Sequence, residues 1–151
     1  MKKLGLGKRV GTPIYYTGIV SRALSSQTFM EKGFELTPEQ YLILDLIHDY
    51  GEIYQRQICE LTLKDRSNVA RLIKILEEKE LIKKEPASNG RRIYKITATE
   101  KGQQVRDSIK PTAMEIRKTL RNGISEEELD ITLATLQKIY DNARPLVKLQ
   151  I

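Results

Sequence analysis

One amphipathic stretch, from Asp65 to Glu80, constrains the fold more than any other part of the sequence. Its apolar side chains recur at helical spacing and form a single stripe along one face; they are Val69, Leu72, Ile73 and Leu76. Asp65 is a plausible N-cap, because its carboxylate can accept hydrogen bonds from the first free backbone N–H groups. The stretch therefore predicts one helix with a core-facing side and a solvent-facing side.

The outward face of this predicted helix carries Ser67, Arg71, Lys74 and Glu78, with Asn68 at its flank. Short polar side chains and an arginine near a helix start are groups that reach base edges and phosphates in a DNA major groove. A hydrated surface of an ordinary core helix has the same composition. The helix alone leaves both interpretations open.

A short helix, predicted from Ile53 to Leu61, precedes this stretch, and residues 62–64 form the turn between them. Two helices joined by a tight turn make a helix-turn-helix. Ile58 and Leu61 are expected to point inward. Cys59 lies on the same helix and is interpreted as a buried inert thiol, with a redox sensor as the alternative.

A β-hairpin is predicted directly after the amphipathic helix. Residues 81–86 and 91–97 are strand-like, and Asn89-Gly90 between them favours a tight hairpin turn. Arg91 and Arg92 follow that turn, so the hairpin tip is positively charged. Two arginines on a rigid hairpin beside a basic helix fit contacts with phosphates or with a minor groove.

Four further helices flank these elements, and each is predicted from a capping residue at its start. They run from Thr12 to about Lys32, from Thr37 to about Tyr50, from Thr97 to Asn122, and from Ser125 to about Pro145. The last two carry more apolar surface than a small winged module needs. With the first helix they are interpreted as a dimerisation unit, although a deep core position for the first helix is the alternative.

The predicted fold class is mainly α with a small β-wing, a winged helix-turn-helix with terminal dimerisation helices. The predicted organisation is a flexible basic arm (1–11), an N-terminal dimerisation helix (12–36), a DNA-binding module (37–98) with its helix-turn-helix at about 54–77 and its wing at about 82–97, and C-terminal dimerisation helices (99–151).

The distribution of charge points to an anionic partner. The 151-residue chain has a formal net charge of +6, and residues 52–101 hold twelve bases against eight acids. Residues 1–10 add four bases and no acid. Double-stranded nucleic acid is the commonest partner of such a segment.

Other functional classes find little support in the sequence. The single cysteine excludes an intramolecular disulfide and suits a reducing cytoplasm, where we expect the protein. No apolar run approaches the roughly 18 residues that span a membrane, so no membrane partner is expected. His48 has no partner at ligand spacing, and there is no Gly-rich phosphate loop. We therefore predict no catalysis, no cofactor and no metal site.

Three segments carry a family resemblance. Residues 65–73 read Asp-Arg-Ser-Asn-Val-Ala-Arg-Leu-Ile, residues 76–82 read Leu-Glu-Glu-Lys-Glu-Leu-Ile, and residues 96–102 read Ile-Thr-Ala-Thr-Glu-Lys-Gly. Over about residues 13–144 the chain resembles the MarR family, the multiple-antibiotic-resistance regulators of bacteria. The resemblance implies a homodimeric transcription regulator whose recognition helices enter the major grooves of a pseudo-palindromic operator and whose wings reach minor grooves. Small aromatic ligands often sit between module and dimer helices in this family, so a small aromatic effector is a candidate partner.

The resemblance places Ser67, Asn68 and Arg71 at positions that face bases and phosphates, and Arg91 or Arg92 at the wing arginine. The full set of predicted DNA-binding residues is Arg66, Ser67, Asn68, Arg71, Lys74, Arg91 and Arg92. The chain departs from the family pattern at Asn89, where Asp is common, and at Glu80, where Gly is usual. The wing is also about one residue shorter, which leaves the choice between the two arginines open.

Two functions are carried forward from the sequence. The first is a sequence-specific DNA-binding regulator, with repression favoured over activation. The alternative is a winged-helix protein-interaction module without specific DNA binding, because fold alone does not settle function.

Overall fold

The computed structural model describes residues 9–86 and 94–148. Along these residues a mainly helical fold carries a small antiparallel sheet, which confirms the predicted fold class. The elements are α1 (Gly11–Glu31), α2 (Pro38–Tyr50), β1 (Ile53–Tyr54), α3 (Gln55–Thr62), α4 (Arg66–Glu78), β2 (Ile82–Pro86), β3 (Tyr94–Ala98), α5 (Glu100–Arg121), α6 (Glu126–Ala143) and a 3-10 turn (Arg144–Leu146).

The wing is part of a three-stranded sheet with the order β1-β3-β2. β1 contributes Ile53, which pairs with Ile96, and Tyr54, which pairs with Lys95. The prediction of a helix from Ile53 was therefore wrong at its start: a β-branched and an aromatic residue extend the sheet before α3 begins. The predicted hairpin turn at Asn89-Gly90 lies outside the described residues.

A single core joins the end of α1, α2, the helix-turn-helix, the sheet and α5. Its buried apolar side chains include Phe29, Leu36, Tyr41, Ile43, Leu44, Ile47, Ile53, Ile58, Cys59, Val69, Leu72, Ile73, Leu76, Leu81, Ile82, Ile96, Ile109 and Ile116. All four members of the predicted apolar stripe of α4 are in this core, which confirms the predicted phase of that helix.

The residues of α3 that face the core were predicted only in part. Ile58 is buried as expected, but Leu61 is exposed and Cys59 occupies the core instead. α3 runs only from Gln55 to Thr62 after a strand, and its packing against α4 and the sheet selects the inward residues. A helix this short carries too few apolar residues for periodicity to identify its buried face.

Two predicted N-caps were misplaced. α1 begins at Gly11, and Val10 at its N-cap makes no side-chain capping bond, so Thr12 is not the cap and the predicted arm does not extend through residue 11. α5 is capped by Thr99, whose hydroxyl accepts from Gly102 N at 3.0 Å. Thr97, the predicted cap, lies in β3, because the strand continues past it.

The other predicted caps are confirmed. Asp65 Oδ1 accepts from Asn68 N at 2.8 Å, and Thr37 and Ser125 each form a reciprocal capping box at the starts of α2 and α6. Within the described residues, no helix is both long and apolar enough to span a bilayer. These caps fix where each helix begins, and that of α4 sets the start of the candidate site.

Candidate nucleic-acid interface

The outward face of α4 gathers five of the seven predicted site residues. The helix buries its apolar stripe, so its remaining residues face solvent. On that side Arg66, Ser67, Arg71 and Lys74 are exposed and Asn68 is half-buried. Arg91 and Arg92, the predicted wing residues, lie outside the described residues.

Asn68 and Arg71 form one hydrogen-bonded unit. Arg71 Nη2 donates to Asn68 Oδ1 at 3.1 Å, across one turn of the exposed face. The backbone of Asn68 is held in turn by the Asp65 cap. An amide and a guanidinium are the groups that read adenine and guanine edges in a major groove, and here they lie side by side at the helix start.

Lys74 lies one turn further along and contacts Glu78 at 3.7 Å. Both side chains are exposed, and an exposed pair of this kind contributes about 0–1 kcal/mol. A phosphate can therefore displace Glu78 from Lys74 at little cost.

The two helices of the motif are fastened to each other and to α2 by polar contacts that the sequence did not single out. Gln55 Nε2 donates to the carbonyl of Arg66 at 3.4 Å. Lys64, in the turn, donates to Glu39 of α2 at 2.9 Å, and this hydrogen bond lowers the pKa of the Glu39 carboxyl. Leu63 adopts a left-handed conformation with φ of 54°, which supplies the turn that a glycine often provides.

The described part of the wing carries lysines, but each lies beside a carboxylate. Lys83 contacts Glu85 at 2.8 Å, and Lys95 contacts Glu52 at 2.7 Å. Lys84 is paired with Glu77. Among the described residues of this segment, the basic charge is therefore least neutralised on α4, around Arg66 and Arg71.

Cys59 of α3 lies in the core rather than on this face. Its side chain is fully buried, and burial raises the pKa of the thiol despite the opposing influence of Arg66. A buried thiol with a raised pKa is a poor nucleophile, which favours the inert interpretation over the sensor. Among the described residues, no three metal-ligating side chains form a cluster.

Comparisons with known proteins identify a family and relatives that this chain resembles. The sequence pattern of the MarR family matches residues 34–93. The HTH-type transcriptional regulator YybA of Bacillus subtilis (strain 168) is 32% identical over 126 residues, which cover 83% of this chain and 84% of YybA.

Two solved structures are similar over most of the chain. The transcriptional regulator SlyA has 33% identity and a TM-score of 0.77, with 86% of this chain and 92% of SlyA covered. A MarR-family transcriptional regulator of Listeria monocytogenes, crystallised with a 26mer DNA, has 25% identity and a TM-score of 0.78, with 90% of this chain and 89% of that chain covered.

Proposed function

Because this chain belongs to the MarR family of transcriptional regulators, we propose that it acts as a homodimeric, sequence-specific repressor. In this proposal each α4 enters a major groove of a pseudo-palindromic operator, and each wing reaches the adjacent minor groove. Repression follows if the occupied operator overlaps a promoter. The proteins of this family are regulators rather than enzymes.

The observation that carries the proposal is the hydrogen bond between half-buried Asn68 and exposed Arg71, away from the buried stripe of α4. We assign base contacts to Ser67 and Asn68, and phosphate or guanine contacts to Arg71 and Lys74. We also assign a flanking phosphate contact to Arg66, which lies in the first turn of α4. Arg91 and Arg92 remain predicted wing contacts.

A second copy of the chain is proposed because two helices leave large apolar side chains uncovered. No residue of α6, all of which is described, is buried within one chain. Leu133 of α6 is 56% exposed, and Val20 of α1 is 66% exposed. A dimer that covers these helices holds two copies of α4 at a fixed spacing, and half-sites one helical turn apart require about 34–36 Å.

An effector site is proposed in the cavity between the α1–α2 connection, the end of α4 and α5. The cavity has a volume of about 260 Å³. Its apolar lining includes Phe34, Leu81 and Val105, and Lys79 and Lys101 contribute ammonium groups. A small aromatic ligand bound there releases the operator if it favours a different separation of the two α4 helices.

The test begins with selection of a preferred sequence from a random DNA pool by the wild-type protein. Arg71→Ala is then expected to weaken binding to that sequence by about 1–3 kcal/mol. Lys110→Ala removes the same charge from an exposed position on α5 and serves as the control. Equal affinities for the two variants would remove Arg71 from the interface.

Salt dependence separates this function from a protein-interaction module. Neutralised phosphates release counterions, so log affinity for duplex DNA is expected to fall linearly with log salt concentration. A protein that shows no association with duplex DNA at low salt would support the interaction module instead.

A further inference from the structure

Arg106 is a buried charge that the interface described above does not use. It lies on α5, with its side chain only 9% exposed, so its guanidinium requires hydrogen-bond acceptors inside the protein. Three nitrogens of the group each meet a different carboxylate. Nε donates to Asp45 at 2.7 Å, Nη2 to Asp49 at 3.3 Å and Nη1 to Asp107 at 3.0 Å.

Two of these carboxylates belong to another element. Asp45 and Asp49 are four residues apart on α2, so they share one face of that helix, whereas Asp107 is the next residue along α5. Arg117, three turns further along α5, comes within 4.0 Å of Asp45. The guanidinium therefore joins α5 to the DNA-binding module through two points on α2.

A separate set of contacts attaches the start of α5 to the segment after α4. Thr99 N donates to the carbonyl of Leu81 at 3.0 Å, and its hydroxyl donates to the carbonyl of Glu80 at 2.7 Å. Gly102 packs directly on the backbone of Leu81, where a Cβ would overlap the carbonyl oxygen. α5 is also packed on the core through Ile109 and Ile116, but apolar contacts are not directional. A hydrogen-bonded attachment beyond the first turn therefore adds a directional constraint on the angle of the helix.

We propose that Arg106 is a positioning residue, which locks the angle between α5 and the DNA-binding module by binding Asp45 and Asp49 together. In the proposed dimer, which this inference presupposes, that angle sets the separation of the two α4 helices. Buried ion pairs contribute little net stability, because desolvation offsets their attraction. The planar, forked guanidinium instead presents Nε and Nη2 at a fixed angle to the two carboxylates, and this favours one orientation of α5 relative to α2. A single ammonium group cannot do this.

The chain offers a matched pair of variants. Asp49 and Asp107 have similarly exposed side chains, 58% and 62%, and each accepts one bond from Arg106. Of these two contacts, only the one with Asp49 links α5 to α2. Asp49→Ala is expected to lower affinity for the selected operator about three- to thirtyfold while Asp107→Ala leaves it within about twofold of wild type. Arg106→Lys, which keeps the charge but not the fork, is expected to resemble Asp49→Ala.

A loss of positioning also has a signature that simple destabilisation lacks. Affinity for random duplex DNA should stay constant, and the preference for one half-site spacing over its neighbours should flatten in Asp49→Ala. Equal effects of Asp49→Ala and Asp107→Ala on operator affinity and spacing preference would overturn the proposal.

A measurement without DNA keeps this inference separate from the proposed function. A spin label at Glu78→Cys, on the exposed end of α4, reports the distance between the two copies of α4. Cys59 is buried and stays unlabelled. We expect a broader distance distribution in Asp49→Ala than in Asp107→Ala or the parent, and identical distributions would overturn the inference. Two results would refute the proposed function itself. They are a wild-type protein that selects no DNA sequence, and a labelled protein that gives no spin–spin distance because it is a monomer.

Discussion

α4 and α6 are both amphipathic helices, but the apolar face is buried within the chain only in α4. α4 packs against α2, α3 and the sheet, and its Leu72 is 2% exposed, whereas Leu136 of α6 is 41% exposed. The exposed side of α4 is polar and basic, and the exposed side of α6 includes a row of apolar residues. The same apolar periodicity thus occurs in a helix that exposes a polar surface and in one that exposes apolar residues.

From this difference we propose a separate task for each region. A helix whose apolar stripe is complete within the chain can devote its other face to an anionic ligand. A helix whose apolar stripe is exposed is stabilised by packing on another apolar surface, because burial of apolar area contributes about 25 cal/mol per Å². In this proposal α4 contacts DNA and α6 contacts the second subunit, and the predictions below test that division.

The largest expected effect comes from a charge on the uncovered stripe. Leu136→Glu should separate the dimer, because a carboxylate cannot be buried there without a partner. Loss of the second α4 should reduce operator affinity to the non-specific level, a drop of about a thousandfold or more. Sedimentation and operator titration measure the two effects. Lys138→Glu, on the opposite side of α6, is the control, and a dimeric, fully active Leu136→Glu would refute the assignment of α6.

A truncation on the completed stripe should act on the fold instead. Leu72→Ala leaves a cavity in the core and is expected to lower the free energy of unfolding by about 2–5 kcal/mol. Lys74→Ala, on the exposed face two residues along, should change it by no more than about 0.5 kcal/mol. Denaturant unfolding of both variants provides the comparison. Similar values for the two would mean that α4 does not bury the face described.

The smallest effect concerns the end of α4. Glu80 has a φ of 60°, a left-handed conformation that costs a non-glycine residue roughly 1–2 kcal/mol. Glu80→Gly should therefore raise the free energy of unfolding by about 1 kcal/mol, since glycine is the residue that this helix end favours. Glu80→Ala removes the same carboxylate and keeps a Cβ, so it should give no gain. A gain of equal size in both variants would trace the effect to the carboxylate rather than to the backbone.

The sequence predicted those features that depend on neighbours along the chain. The stripe of α4 and the caps at Asp65, Thr37 and Ser125 are local, because each needs only residues within one or two turns. The departure at Glu80 was also visible, since the sequence lacks the usual glycine at that helix end. The structure then showed that Glu80 itself adopts the left-handed conformation.

The features that the sequence missed depend on distant partners. Ile53 joins a strand because Ile96 lies opposite it, and Thr97 loses its capping role because β3 continues past it. The burial of Arg106 had a recognisable signal, since it lies four residues after Gly102 and three before Ile109, on the inward face of α5. Its partners could not be predicted, because Asp45 and Asp49 are on another helix. The roles of Arg91 and Arg92, and the dimer, remain predictions.

The central claim is that two copies of α4, held at one spacing by the terminal helices, read one operator together. The most direct test is titration of the wild-type protein with its selected operator and with a version whose half-sites are moved apart by about five base pairs, half a helical turn. We predict that the altered operator binds no better than random duplex DNA of the same length. Equal affinity for both operators would contradict the account, because it would show that the two helices do not act at a fixed separation.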